Sequence, residues 1–184
     1  MLPSTKSFLT AFVLLIAFSR ATQQAFCEDR TGRTGIGIQL STPAPYIDSY
    51  SIGTPGSIEM PSDILISMWI SDRVALQPSI GTSLNSHETY WRLGISYLNY
   101  FSHNKLSPFI SVRAKTYLAY SYGTSSVAYL FGLGVGGEYF VGEKFSVGGE
   151  CQLNYLVQDK GRASLYTDNI TYTGVGVFAK FYLN

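Results

Sequence analysis

Tyr129-Leu-Phe-Gly-Leu-Gly-Val-Gly-Gly-Glu-Tyr-Phe140, the turn Val141-Gly-Glu143, then Lys144-Phe-Ser-Val-Gly-Gly-Glu-Cys-Gln-Leu-Asn-Tyr-Leu-Val157 decide the fold. Odd positions carry Tyr129, Phe131, Leu133, Val135, Tyr139, Phe145, Val147, Cys151, Leu153, Tyr155 and Val157. Even positions are mostly small or polar: Gly132, Gly134, Gly136, Glu138, Ser146, Gly148, Glu150, Gln152 and Asn154. Alternation with a period of two on both sides of a glycine-containing turn is the signature of a β-hairpin. These strands are long and each has one apolar face. A water-soluble core has little use for that length, and a strand crossing a bilayer does.

Composition agrees. Charged residues make up 14% of the chain and aromatics 15%, with 14 Tyr and 18 Gly, which is a poor mixture for a solvated surface. The formal net charge of +1 gives no electrostatic basis for binding nucleic acid. At 184 residues the chain holds one domain after processing. Residues 1–25 read as a secretory signal peptide: Lys6, an apolar run from Phe8 to Phe18, then small residues at Ala17, Ser19, Ala21 and Ala25. That run is shorter than the ~20 residues a spanning helix needs. Cleavage is expected after Ser19, Ala21 or Ala25, with the last two favoured. Removing Lys6 and Arg20 takes the 13 basic residues to 11 against 12 acidic ones, a formal charge of −1. Residues 26–33 form a periplasmic tail, and 34–184 the barrel. Cys27 lies in that tail, but the bulky Phe26 before it is wrong for lipoprotein processing, and Cys151 sits on an apolar strand face, so no disulfide framework is expected.

In chain order the expected strands are 33–41, 58–70, 73–83, 89–101, 107–121, the two of the hairpin, and 169–183. Pro78 falls inside the third, where a bulge or a lost ladder bond is expected. The connections alternate: loops at 42–57, 84–88, Tyr122–Ser126 and 158–168 against turns at Ser71-Asp72, Ser102–Leu106 and Val141–Glu143. All the loops therefore emerge at one end. The fold class that follows is all-β: an eight-stranded antiparallel up-and-down transmembrane β-barrel. Long loops outside and short turns on the periplasmic side are the habit of outer-membrane barrels.

Charge assigns the faces, because Arg or Lys facing lipid at the midplane costs roughly 2–4 kcal/mol. Arg113 and Lys115 must face the lumen, and the same test turns Arg92, Glu138, Glu150 and Lys180 inward. Arg73, Gln77, Gln152 and Asn154 are expected there too. Trp91 and Phe101, Tyr129 and Tyr139, and Phe145 and Tyr155 form outward pairs, each ten positions apart. Ten residues of tilted strand rise roughly 25 Å, about the height of a barrel's apolar band between its aromatic girdles. Trp91, Tyr120, Tyr129 and Tyr155 fall in the outer girdle; Phe101, Tyr139, Phe145 and Phe181 fall in the periplasmic one.

Ile-Ser-Asp-Arg-Val-Ala-Leu-Gln-Pro-Ser-Ile-Gly (70–81), Leu-Ser-Pro-Phe-Ile (106–110), Gly-Gly-Glu-Tyr-Phe (136–140) and Phe-Ser-Val-Gly-Gly-Glu (145–150) together resemble the OmpA/OmpX-like outer-membrane β-barrel domain family. The resemblance covers about residues 34–184 and implies a small barrel in the bacterial outer membrane. It departs at the end, Phe181-Tyr182-Leu183-Asn184, where many such proteins finish on an aromatic residue read by the assembly machinery.

An eight-stranded bore is just wide enough to be filled by side chains, and buried charges must pair. Glu138 and Glu150 are therefore expected to pair with Arg113, Lys115 or Arg92, making a structural plug. Ser86-His87-Glu88 has the residue types of an acyl-handling site, but adjacent residues in a strand point apart. No helix follows the glycines at 132–137, so they are no phosphate cradle. No catalytic site, metal or cofactor is expected. The leading reading is a non-catalytic structural or surface-interaction barrel with loop contacts at Tyr46, Asp48, Tyr50, Asp159, Arg162 and Tyr166. The alternatives are a narrow porin-like ion path, a lipid-acyl-handling enzyme and a soluble lipocalin-like carrier with its faces exchanged. Expected partners are outer-membrane lipid and lipopolysaccharide, the barrel-assembly machinery and a surface partner at the loops, with the chain a monomer.

Overall fold

The computed structural model describes residues 30–41, 62–84, 88–121, 124–158 and 169–183. The signal peptide, Cys27 and the loop contacts Tyr46, Asp48, Tyr50, Asp159, Arg162 and Tyr166 lie outside them. Eight strands follow in order: β1 Thr34–Ser41, β2 Ser62–Ser71, β3 Val74–Leu84, β4 Glu88–Tyr100, β5 Leu106–Ser121, β6 Thr124–Phe140, β7 Phe145–Gln158 and β8 Ile170–Tyr182. Each pairs antiparallel with its chain neighbours, and β8 returns to β1, so the sheet closes into a barrel with no free edge. The connections at 72–73, 101–105 and 141–144 share one end with the start of β1 and the end of β8. This turn end is the periplasmic one by the rule for outer-membrane barrels.

The third loop is shorter than the sequence reading expected. Ser121 pairs with Thr124, leaving 122–123 as the connection, because Ser125 and Ser126 extend the ladder opposite Tyr120 and Ala119. Pro78 interrupts pairing as expected. The β2–β3 ladder runs from Leu65–Ser79 to Met68–Leu76 with a gap at Pro78, and the register is the same on both sides. A proline has no N–H to give that ladder. Ser67 Oγ donates to Gln77 Oε1 at 3.1 Å across the gap, so two inward side chains replace the missing backbone contact. The register shift sits a little further on, between Trp69 and Ser71.

Parity sorts the two faces. Ile36, Ile38, Ile64, Ile66, Leu93, Ile95, Val112, Phe131, Leu133, Leu153, Val175 and Val177 are exposed on the outside, and Cys151 is a free thiol among them. Asp63, Arg92, Arg113, Lys115, Glu138, Glu150 and Lys180 are buried inside. A soluble lipocalin-like carrier needs the opposite arrangement, so that alternative is overturned. No helix among the described residues is long and apolar enough to cross a membrane; the strands do the crossing.

Inside, size is balanced across the ladders. Phe178 lies opposite Gly148, Phe109 opposite Gly136, Tyr182 opposite Gly35, Lys180 opposite Gly37, Lys115 opposite Gly94, Arg113 opposite Gly132 and Arg92 opposite Gly81. A Cβ at Gly148 would collide with the Phe178 ring and the Gly137 carbonyl. Gly148→Val is expected to lower the unfolding free energy by about 1–3 kcal/mol through overpacking, whereas Val147→Leu on the lipid side leaves it nearly unchanged. Urea titration of the folded barrel in bilayers measures both.

Candidate functional site

Among the described residues, chemistry is concentrated in the lumen. Three described carboxylates are buried there, each the centre of its own network.

Glu138, near the periplasmic end of β6, is 0% exposed. It accepts from Ser146 Oγ at 2.5 Å, Tyr100 Oη at 2.6 Å, Tyr182 Oη at 2.7 Å and Lys180 Nζ at 2.9 Å. Four donors on two oxygens satisfy a carboxylate that water cannot reach. Around it pack Trp69, Tyr100, Phe109, Phe140, Phe178 and Tyr182, with neighbouring ring centroids such as Trp69–Tyr100 only 4.5 Å apart. Glu150, further in on β7, pairs with Arg113 and accepts from Gln152 Nε2 at 2.7 Å, Gln39 Nε2 at 2.8 Å and Ser111 Oγ at 3.2 Å. Asp63 on β2 takes Lys115 Nζ at 2.6 Å and Arg92 Nε at 2.9 Å. Arg92 also donates to the carbonyls of Ser62 and Thr82.

Arg92, Arg113, Lys115, Glu138, Glu150 and Lys180 are all buried in the barrel, and their pairing differs in part from the expected one. Glu150 meets Arg113. Glu138 meets Lys180 rather than Arg113, Lys115 or Arg92, since those side chains lie at other levels of the barrel. Arg92 and Lys115 share Asp63, a residue outside the expected network. The signal was available: Asp63 has the inward parity of β2, opposite the apolar Ile64 and Ile66. Arg73 is corrected. It is exposed in the β2–β3 turn, where its Nε donates to His103 Nε2 at 3.3 Å.

Beyond the Asp63 pair, towards the loops, Ala128, Leu130 and Leu156 form a second apolar cluster, with Tyr117, Ile170 and Tyr172 packed on it. The bore therefore alternates aromatic, charged and apolar layers along its axis. Of the girdle residues, Trp91, Tyr129 and Tyr155 are exposed towards the loop end, and Phe101, Tyr139, Phe145 and Phe181 towards the turn end. The Tyr120 side chain lies outside the described set, as do Ser86 and His87.

One further charge enters from outside the strands. Arg30 is 4% exposed although it precedes β1. Burial pushes its pKa down from the ordinary guanidinium value, while the nearby Glu138 carboxylate opposes that shift. The guanidinium remains a cation in either case, since arginine titrates far above neutral pH.

A closed eight-stranded barrel with an apolar exterior and a charged interior is a membrane-spanning barrel of the outer-membrane kind. Solved structures share the fold. The N-terminal β-barrel domain of Pseudomonas aeruginosa OprF superposes with a TM-score of 0.57 at 13% identity, covering 83% of this chain and 98% of that one. Neisserial surface protein A superposes with a TM-score of 0.55 at 11% identity, covering 84% and 97%. No protein-family model matches the chain, and no curated protein sequence matches it. The chain thus has the architecture of the small eight-stranded outer-membrane barrels.

Asp63 holds two cations at once, so its loss strands both. Asp63→Ala is expected to destabilise the barrel by about 3–5 kcal/mol, and adding Lys115→Met to recover part of that loss. The urea midpoints of the single and double variants, refolded in lipid, decide it.

Proposed function

We propose that this protein is a non-catalytic structural barrel of the bacterial outer membrane whose extracellular loops make its outside contacts. One observation carries the reading: among the described residues, each lumen carboxylate is held by donors from the barrel's own strands. Glu138, Glu150 and Asp63 have their donors within the barrel, and aromatic and aliphatic layers close the space on either side. Such an interior offers no reacting group access to substrate and leaves the barrel a stiff support. The loops expected at 42–57 and 158–168 are then the parts left to meet partners. Tyr46, Asp48, Tyr50, Asp159, Arg162 and Tyr166 are the proposed contacts, in adhesion-like binding to a surface partner. Lipid and lipopolysaccharide surround the apolar belt, the assembly machinery inserts a single copy, and the protein works as a monomer. The resemblance to the surface protein of Neisseria supports the architecture alone.

Purified protein in planar bilayers is expected to give flat current traces. Reproducible unit steps from the full chain would instead promote the narrow ion path. Replacing Tyr46, Tyr50 and Tyr166 together by Ser is expected to abolish attachment of expressing cells to a surface while leaving the heat-modifiable mobility of the barrel unchanged.

A further inference from the structure

The Arg30 side chain lies across the periplasmic mouth of the lumen. Arg30 enters beside β1 and β2 and reaches the start of β5, on the far side of an eight-stranded circle. Its Nη1 donates to Ser107 Oγ at 3.1 Å, and its Nη2 donates to the carbonyls of His103 at 3.1 Å and Asn104 at 3.2 Å. The guanidinium carbon lies 3.9 Å from the centroid of the Phe140 ring and 5.1 Å from that of Trp69. Cation, two ring faces and three oxygens fit together, and the Glu138 carboxylate is near enough to act on the cation electrostatically. Planar guanidinium stacking on aromatics while donating in its own plane is chemistry an ammonium cannot reproduce.

The backbone holds this side chain at the mouth. Arg33 N donates to the Arg30 carbonyl at 3.1 Å, closing a tight turn that Gly32 completes at φ +79°. That backbone region favours glycine. Gly32 N donates to the Trp69 carbonyl at 2.9 Å, and Trp69 N donates to the Arg33 carbonyl at 2.9 Å. The turn is thus stitched to the end of β2, and the residue it is stitched to is the one whose ring the guanidinium covers.

We propose that the periplasmic mouth is a guanidinium-binding site, filled by the protein's own Arg30, and that this contact closes the lumen to the periplasm. Withdrawal of the Arg30–Arg33 turn opens the mouth down to Trp69 without unpairing any strand. An arginine side chain presented by another periplasmic polypeptide is the class of ligand able to compete for the vacated site.

The chain has two tryptophans, Trp69 and Trp91, so a Trp91→Phe background leaves Trp69 as the only one. Trp69 is 3% exposed beneath Arg30. In that background, quenching of its fluorescence by aqueous acrylamide is expected to be weak and to rise several-fold in Arg30→Ala, with the β-sheet circular dichroism unchanged. Adding methylguanidinium to the Arg30→Ala protein is expected to restore the protection in a saturable way, and methylammonium is not. Gly32→Val strains the turn while keeping Arg30, and is expected to raise quenching as well. If quenching in folded Arg30→Ala and in Gly32→Val equals that of the background, the closure is overturned. If it rises but methylguanidinium does not reverse it, the guanidinium site is overturned.

Discussion

The bore of an eight-stranded barrel is narrow, and a large residue that points inward needs room beside it. Phe109, Phe178, Tyr182, Arg92, Arg113, Lys115 and Lys180 each have a glycine opposite them on one neighbouring strand. A large side chain lying flat over a glycine covers the bare backbone and brings its functional end towards the axis. Close packing at interior density follows from this complementarity. So does the placing of charge, because Lys180 meets Glu138 by lying over Gly37, and Arg113 meets Glu150 by lying over Gly132.

Charge in the bore is unequal. Among the described buried residues, Arg30, Arg92, Arg113, Lys115 and Lys180 face Asp63, Glu138 and Glu150. Isolated buried cations would be costly, and the surplus is absorbed by groups that carry no formal charge. Arg92 adds two backbone carbonyls to its carboxylate. Lys180 sits 4.4 Å from the Phe178 ring centroid, so it has a π face as well as Glu138. Arg30 has two rings and three oxygens. Ring quadrupoles and carbonyl dipoles are fixed here by strand geometry and need not reorganise, which is why they serve as counter-charges in a space too narrow for more carboxylates.

The strands, their faces and their order could be read from the alternation, since charge on one parity and aliphatics on the other leave a lipid-facing strand one choice. The level of each residue along the axis could not. Assigning Glu138 to Lys180, and Arg92 with Lys115 to Asp63, requires the register between strands distant in sequence, and each strand's pattern is silent about its stagger. The aromatic layer is equally hard to see in the sequence. Trp69, Tyr100, Phe109, Phe140, Phe178 and Tyr182 share the inward parity of the charged residues, yet aromatic residues in a membrane strand suggest the girdle first. Which side chains lie over Gly132, Gly134 and Gly136 depends again on register.

The two ends of the bore differ in the kind of closure they use. Towards the loops the last described layer is aliphatic and aromatic, drawn from β5, β6, β7 and β8 themselves. Towards the periplasm the last layer is aromatic but amphipathic, with Tyr100 and Tyr182 turned to Glu138, and its outer surface is finished by a cation from beyond the barrel wall. A strand residue cannot provide that finish, because inward side chains at the rim point across the axis and leave the ring faces open. A turn entering from outside can lay a planar cation flat on Phe140 while its N–H groups reach His103, Asn104 and Ser107 on the opposite wall. Closure by a separate short segment also has a different energetic character from closure by strands. It can be released at the cost of a few hydrogen bonds and a stacking contact, with the closed ladder and the lipid-facing belt left intact.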